Sequence, residues 1–143
     1  MKQTETVRVL IIDGQGGRMG AQLVEGLKNA VPAACITAVG TNAIATSAMV
    51  KAGASQAATG ENAVVVNSRR ADVIAGPLGI VMADSLLGEV TPAMAAAVAQ
   101  SEAFKVLLPV NRCNHVVVGV QDLTMGQLIA QAVQRISQFC SSL

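Results

Sequence analysis

Val7-Arg8-Val9-Leu10-Ile11-Ile12-Asp13-Gly14-Gln15-Gly16-Gly17-Arg18-Met19-Gly20 is the stretch on which the reading of this chain turns. Val7 to Ile12 is a near-continuous apolar run, the composition of a strand covered on both faces, as in a parallel sheet. Glycines follow at once. Met19, Leu23, Leu27 and Val31 then recur every four residues up to Pro32, which predicts a helix with one buried stripe. A buried strand, a glycine turn and an amphipathic helix are the opening unit of a layered α/β domain.

Outward from that unit, short β-rich runs alternate with stretches of helical spacing. Cys35 to Val39 reads as a second strand, and Asn42 as the cap of a helix reaching about Ala52, with Gly53 as its left-handed terminator. A weak third strand is expected near Ser55 to Ala58. Glu61 to Ala71 contains three valines but opens and closes like a helix, and helix is the reading taken. Asp72 to Gly76 makes a fourth strand ended by Pro77, and Thr91 with Pro92 opens a helix of small residues. Lys105 to Val110 and His115 to Val120 are separated only by Asn111 to Asn114. A parallel crossover needs a dozen residues or more, so strands five and six are expected to pair as an antiparallel hairpin. Thr124 and Gln127 form a capping box for a last helix carrying Met125, Ile129, Val133, Ile136 and Cys140. The expectation is one Rossmann-like three-layer α/β domain over residues 1–143, its sheet mostly parallel apart from that hairpin.

Composition removes several classes of function. The chain is 52% hydrophobic and 13% charged, with ten Lys and Arg against nine Asp and Glu, so it folds and offers no basic face to a phosphate backbone. Phe104 and Phe139 are its only aromatic residues, which also removes the stacking platform of single-strand binders. Nucleic acid is therefore not an expected partner. Cys35, Cys113 and Cys140 lack any metal or disulfide spacing and read as free thiols, with no metal site. The charge-free span Asn29 to Val50 is interrupted by Pro32, Gly40 and Asn42, so no membrane span is expected. Lys2, Glu5 and Arg8 stand before only a short apolar run, unlike a signal peptide, and the cytoplasm is the expected location.

The chemistry concentrates in Asp13 to Gly20. Glycines there turn sharply and let a phosphate reach backbone amides, while the helix N-terminus supplies about half a positive charge. Gly14, Gly17 and Gly20 make GxxGxxG, a variant of the dinucleotide fingerprint in which Met19 takes a glycine's place. The loop residues Gly14, Gln15, Gly16, Gly17, Arg18, Met19 and Gly20 are the candidate site for a small phosphate-bearing ligand, either NAD(P) or another nucleotide. The competing reading is a tight turn that binds nothing. The fingerprint's acidic residue, about 20 positions on, is missing; Thr41 and Asn42 stand there instead, to bond a ribose or phosphate or, for Asn42, simply to cap a helix. Gly76, Asn111 and Arg112 are expected at the same carboxyl edge of the sheet, Arg112 as a clamp for phosphate or carboxylate or as a solvated loop residue. Asp13, Asp84, Glu89 and His115 are the acid and base candidates. None forms a visible pair, and Asp13 is expected to bond the turn's own amides.

GQGGRMG, residues 14–20, resembles the cofactor loop of dihydrodipicolinate reductases, which implies contact with the pyrophosphate of a nicotinamide cofactor for Gly14, Gly17, Arg18, Met19 and Gly20. The His-His pair of that enzyme has no counterpart, since His115 is the only histidine, and its activity is not implied. Over its length, through IDGQGG, TNAIAT, GPLGI and PVNRCN, the chain resembles a small bacterial family of unknown function, which implies a Rossmann-like fold and no known reaction. The function expected is nucleotide binding at the glycine loop. The alternative is a non-catalytic, ligand-sensing or structural homo-oligomer without a nucleotide site. A homo-oligomer is expected under either reading, because the stretches Asn29 to Val50 and Val90 to Ser101, which cover most of two expected helices, contain no charged residue.

Overall fold

The structure is a computed structural model and describes residues 6–110 and 114–143. The chain runs β1 Arg8–Asp13, α1 Arg18–Ala30, β2 Cys35–Gly40, α2 Ala43–Lys51, β3 Gln56–Thr59, α3 Glu61–Ser68, β4 Val73–Pro77, a 3-10 turn Leu78–Val81, α4 Pro92–Gln100, β5 Phe104–Leu108 and α5 Met125–Ser141. The five strands form one sheet in the order β3-β2-β1-β4-β5, every neighbouring pair parallel. β1 lies at the centre, as its unbroken apolar run requires: Val9, Leu10, Ile11 and Ile12 are at most 2% exposed.

Two cores follow from the alternation of side chains along the strands. Val9 and Ile11 pack with Leu23 and Leu27 of α1, Met49 of α2 and Ile136 of α5 on one face. Leu10 and Ile12 pack with Val64 of α3, then Leu86, Val90 and Val98, on the other. The molecule is thus a three-layer α/β sandwich. Glu61 to Ser68 is helical: Val64 fills the second core, while Val65 and Val66 are only partly buried. The caps read from the sequence form: Asn42 Oδ1 accepts from Ala45 N at 2.9 Å, and Thr91 and Thr124 accept from the Met94 and Gln127 amides. Among the described residues no helix is long and apolar enough to cross a membrane.

The expected hairpin does not form. Residues 114–124 contain no strand, Val116 and Val118 are 85% and 94% exposed, and Gly119 sits at φ +87°. The physical reason lies in the direction of α5. Its first turn lies beside Pro109 and Val110 at the carboxyl edge of the sheet, and its last turn beside Val7 and Ala34 at the amino edge. An antiparallel sixth strand would have delivered the chain to the wrong edge for that helix. Three valines therefore had strand propensity without a partner strand. Asn111, Arg112 and Cys113 lie outside the described residues.

Candidate functional site

The order β3-β2-β1-β4-β5 reverses direction between β1 and β4, and ligands of open α/β sheets bind beyond the carboxyl ends of the strands at such a reversal. The loop from Asp13 to Gly17 leaves β1 at that point. Gly17 N donates to Gly14 O at 3.0 Å, closing a turn in which Gln15 and Gly17 have φ +50° and +73°. Gly17 precedes α1 without any side-chain cap. Asp13 does part of that work from below: Gly14 N donates to its Oδ1 and Gly20 N to its Oδ2, both at 2.8 Å. Burial pushes the Asp13 carboxyl above its ordinary range; the Gly20 and Gly14 amides offset this only in part, and the Glu89 carboxylate adds to the rise.

The three fingerprint glycines have different duties. A Cβ on Gly17 would lie 2.7 Å from Ala45 Cα and 2.8 Å from Ala45 O, so this residue lets α1 and α2 meet. A Cβ on Gly20 would lie 2.8 Å from Asp13 Cβ and 2.6 Å from Met49 Sδ, so it seats α1 on the sheet. Gly14 is covered by Thr41 Oγ1 and Leu86 Cδ1, at 2.6 and 2.9 Å from a built Cβ. Only Gly16, the glycine outside that pattern, is exposed and faces open space, its nearest neighbour being Arg18 Cγ at 3.9 Å. The amides of Gly16, Arg18 and Met19 take no partner among the described residues.

Thr41 and Asn42 stand at the end of β2, beside the loop, as expected. What they hold is a residue the sequence reading named only as an acid candidate. Glu89 Oε1 accepts from Asn42 Nδ2 at 2.6 Å, Thr41 Oγ1 at 2.7 Å and Gln15 N at 3.0 Å. Asn42 Nδ2 also donates to Gln15 O at 3.0 Å, tying α2 to the glycine turn. Burial would raise the Glu89 pKa, but the hydrogen bonds from Thr41, Gln15 and Asn42 outweigh it and hold the carboxyl below its ordinary range. Glu89 lies 74 residues from Gln15, and no periodicity or spacing links the two. The only local cue is Asp84-Ser85-Leu86-Leu87-Gly88-Glu89, a turn-rich run after the fourth strand.

Gly76 lies inside β4, fully buried, where a side chain would strike the Ile12 carbonyl oxygen; it brings β4 close to β1 and is not presented to the loop's surface. Asp84 sits at φ +66° within residues 82–90, and His115 lies in the exposed 114–124 segment. Neither is brought to the glycine loop by any contact described above. Among the described residues no group of three His, Cys, Asp or Glu side chains is placed to hold a metal ion.

A family model described as "Domain of unknown function (DUF3842)" matches residues 8–141, in line with the expected likeness to a family without a known reaction. No curated protein matches the chain, and nothing in these matches extends the likeness of residues 14–20 to dihydrodipicolinate reductases. A universal stress protein solved in complex with cAMP is 17% identical, with a TM-score of 0.40 over 72% of this chain and 97% of that one. A dodecameric FMN-dependent Ubix-like decarboxylase from Escherichia coli O157:H7 is 17% identical, with a TM-score of 0.44 over 92% of this chain and 76% of that one. Likeness at this level bears on neither ligand nor assembly.

Proposed function

The chain belongs to the DUF3842 family, a domain of unknown function, and we propose from its site alone that it is a Rossmann-like domain binding a phosphate-bearing nucleotide at the Gly14 to Gly20 loop. One observation carries this reading: the amides of Gly16, Arg18 and Met19 stand without partners among the described residues at the start of a 13-residue helix. Such amides, with the helix dipole behind them, attract an anion, and Gly16 leaves room for one. Size favours a mononucleotide over NAD(P). The second half of a dinucleotide has to pass over Gly14 toward β4, and Leu86, 3% exposed, stands there with Glu89. We assign no reaction, because Asp13 is engaged by two amides and Glu89 by three donors.

Adenosine 5′-monophosphate is the probe that tests it, with Gly16→Asp as the control. Gly16 does not have a positive φ, so the aspartate fits the backbone and sets a negative charge at the amides. A saturating ligand at a hundred times its Kd adds about 2.7 kcal/mol, or roughly 5–10 °C in Tm for a chain of this size. That rise in the wild type, lost in Gly16→Asp, supports the reading; no rise, or an equal one in both, refutes it.

A further inference from the structure

The fingerprint wants a carboxylate at the end of β2 to take the hydroxyls of a ribose, and the sequence there offers Thr41 and Asn42 instead. In the folded chain the carboxylate is present at that place, delivered from the β4–α4 connection. We propose that Glu89 is the ribose acceptor of this site and makes it selective for nucleotides with a free 2′,3′-diol; this rests on the nucleotide reading of the glycine loop.

Three features argue for the role. First, Glu89 is held at the residues that replace the fingerprint acid: its Oε1 accepts from both Thr41 Oγ1 and Asn42 Nδ2, and from the amide of Gln15 in the loop itself. Second, only that oxygen is used. Oε2 accepts no hydrogen bond among the described residues, and Glu89 is only half-buried, so one carboxylate oxygen with two lone pairs is left for two hydroxyl donors. Third, the segment that carries it is built at a cost. Asp84, Leu86 and Leu87 all have positive φ, at 66°, 54° and 56°, a conformation unfavourable for side-chain-bearing residues that persists only where the surroundings enforce it. Here Leu86 is anchored in the second core, and Asp84 N to Val90 O at 2.7 Å with Val90 N to Ser85 O at 3.2 Å closes the segment on itself. The carboxylate is thereby fixed before any ligand arrives.

The chemistry sets the selectivity. A 2′-hydroxyl donates to Oε2 through a charge-assisted hydrogen bond; a 2′-deoxyribose loses that bond, and a 2′-phosphate brings a second anion against the carboxylate. Equilibrium dialysis of adenosine 5′-monophosphate, its 2′-deoxy analogue and adenosine 2′,5′-bisphosphate, against wild type and Glu89→Gln, tests this. The wild type is expected to hold the monophosphate at least about tenfold more tightly than either analogue, and Glu89→Gln to reduce that ratio below about threefold. If Glu89→Gln does not fold, Glu89→Asp, which keeps the charge but withdraws it by one methylene, is expected to lower the ratio instead. Equal binding of the ribo and deoxy forms by wild type overturns the role of Glu89 and leaves the loop reading standing. An unchanged ratio in the variant also overturns it, and failure of every nucleotide to bind removes both.

Discussion

Glu89 is the residue on which this site differs most from its sequence. The acid was visible in the chain but its place was not, because hydrogen bonds from Gln15, Thr41 and Asn42 across 74, 48 and 47 positions are set by the fold and leave no spacing to read. Asp13 was legible for the opposite reason: its partners, Gly14 and Gly20, lie one and seven residues away. The two carboxylates respond to pH in opposite senses. Glu89 has its pKa lowered on folding, so the stability it contributes is present above its unfolded pKa of about 4.3 and is lost as pH falls through the folded value. Asp13 is raised, so its ionisation costs stability as pH rises past the unfolded value. In Glu89→Gln the carboxylate's bonds are weakened and part of what raises Asp13 is removed, and the net expectation at pH 7 is a loss of about 1 kcal/mol. Urea unfolding followed by circular dichroism should show that loss at pH 7 and a shrinking difference from wild type below about pH 4. A difference that stays constant with pH would show that the Glu89 charge plays no part.

At the scale of elements, the strands and helices with strong local signals formed where the residues placed them, and the exception teaches why. The opening strand, the Asn42, Thr91 and Thr124 caps and the Gly53 terminator at φ +109° are local features whose physics needs nothing from the rest of the chain. The sixth strand was different, since Val116 to Val118 have the right propensity but a strand exists only with a neighbour. Among the described residues β5 pairs with β4 alone, and the direction of α5 along the sheet decides what precedes it. Surface substitutions away from special features change stability by no more than about 0.5 kcal/mol. Val116→Ser and Val118→Ser, singly and together, should therefore leave the urea midpoint nearly unchanged. A combined loss of about 2 kcal/mol, of the order of two cross-strand pairs, would show that this segment pairs with β5 after all.

For the whole molecule, the central place of β1 was legible in its apolar run, whereas the strand order β3-β2-β1-β4-β5 and the reversal between β1 and β4 are set by packing between elements far apart in the chain. Surface assembly is where local reading stops. α2 leaves Ile44 72% and Val50 50% exposed, and α4 turns Ala93, Ala96 and Ala99 outward with no charge on the helix. We therefore retain the homo-oligomer as a proposal, with a dimer the smallest assembly that covers such faces. Light scattering after size exclusion is expected to give at least twice the 14.5 kDa of one chain, and a mass of 14.5 kDa would contradict it. Nucleotide binding at the glycine loop is read most directly from the amide spectrum of isotopically labelled protein titrated with adenosine 5′-monophosphate. Saturable shifts centred on the amides of Gly16, Arg18 and Met19 are expected, with the Thr41 and Asn42 amides following. A spectrum that stays still there, or that moves only at residues away from the carboxyl edge of the sheet, would contradict it.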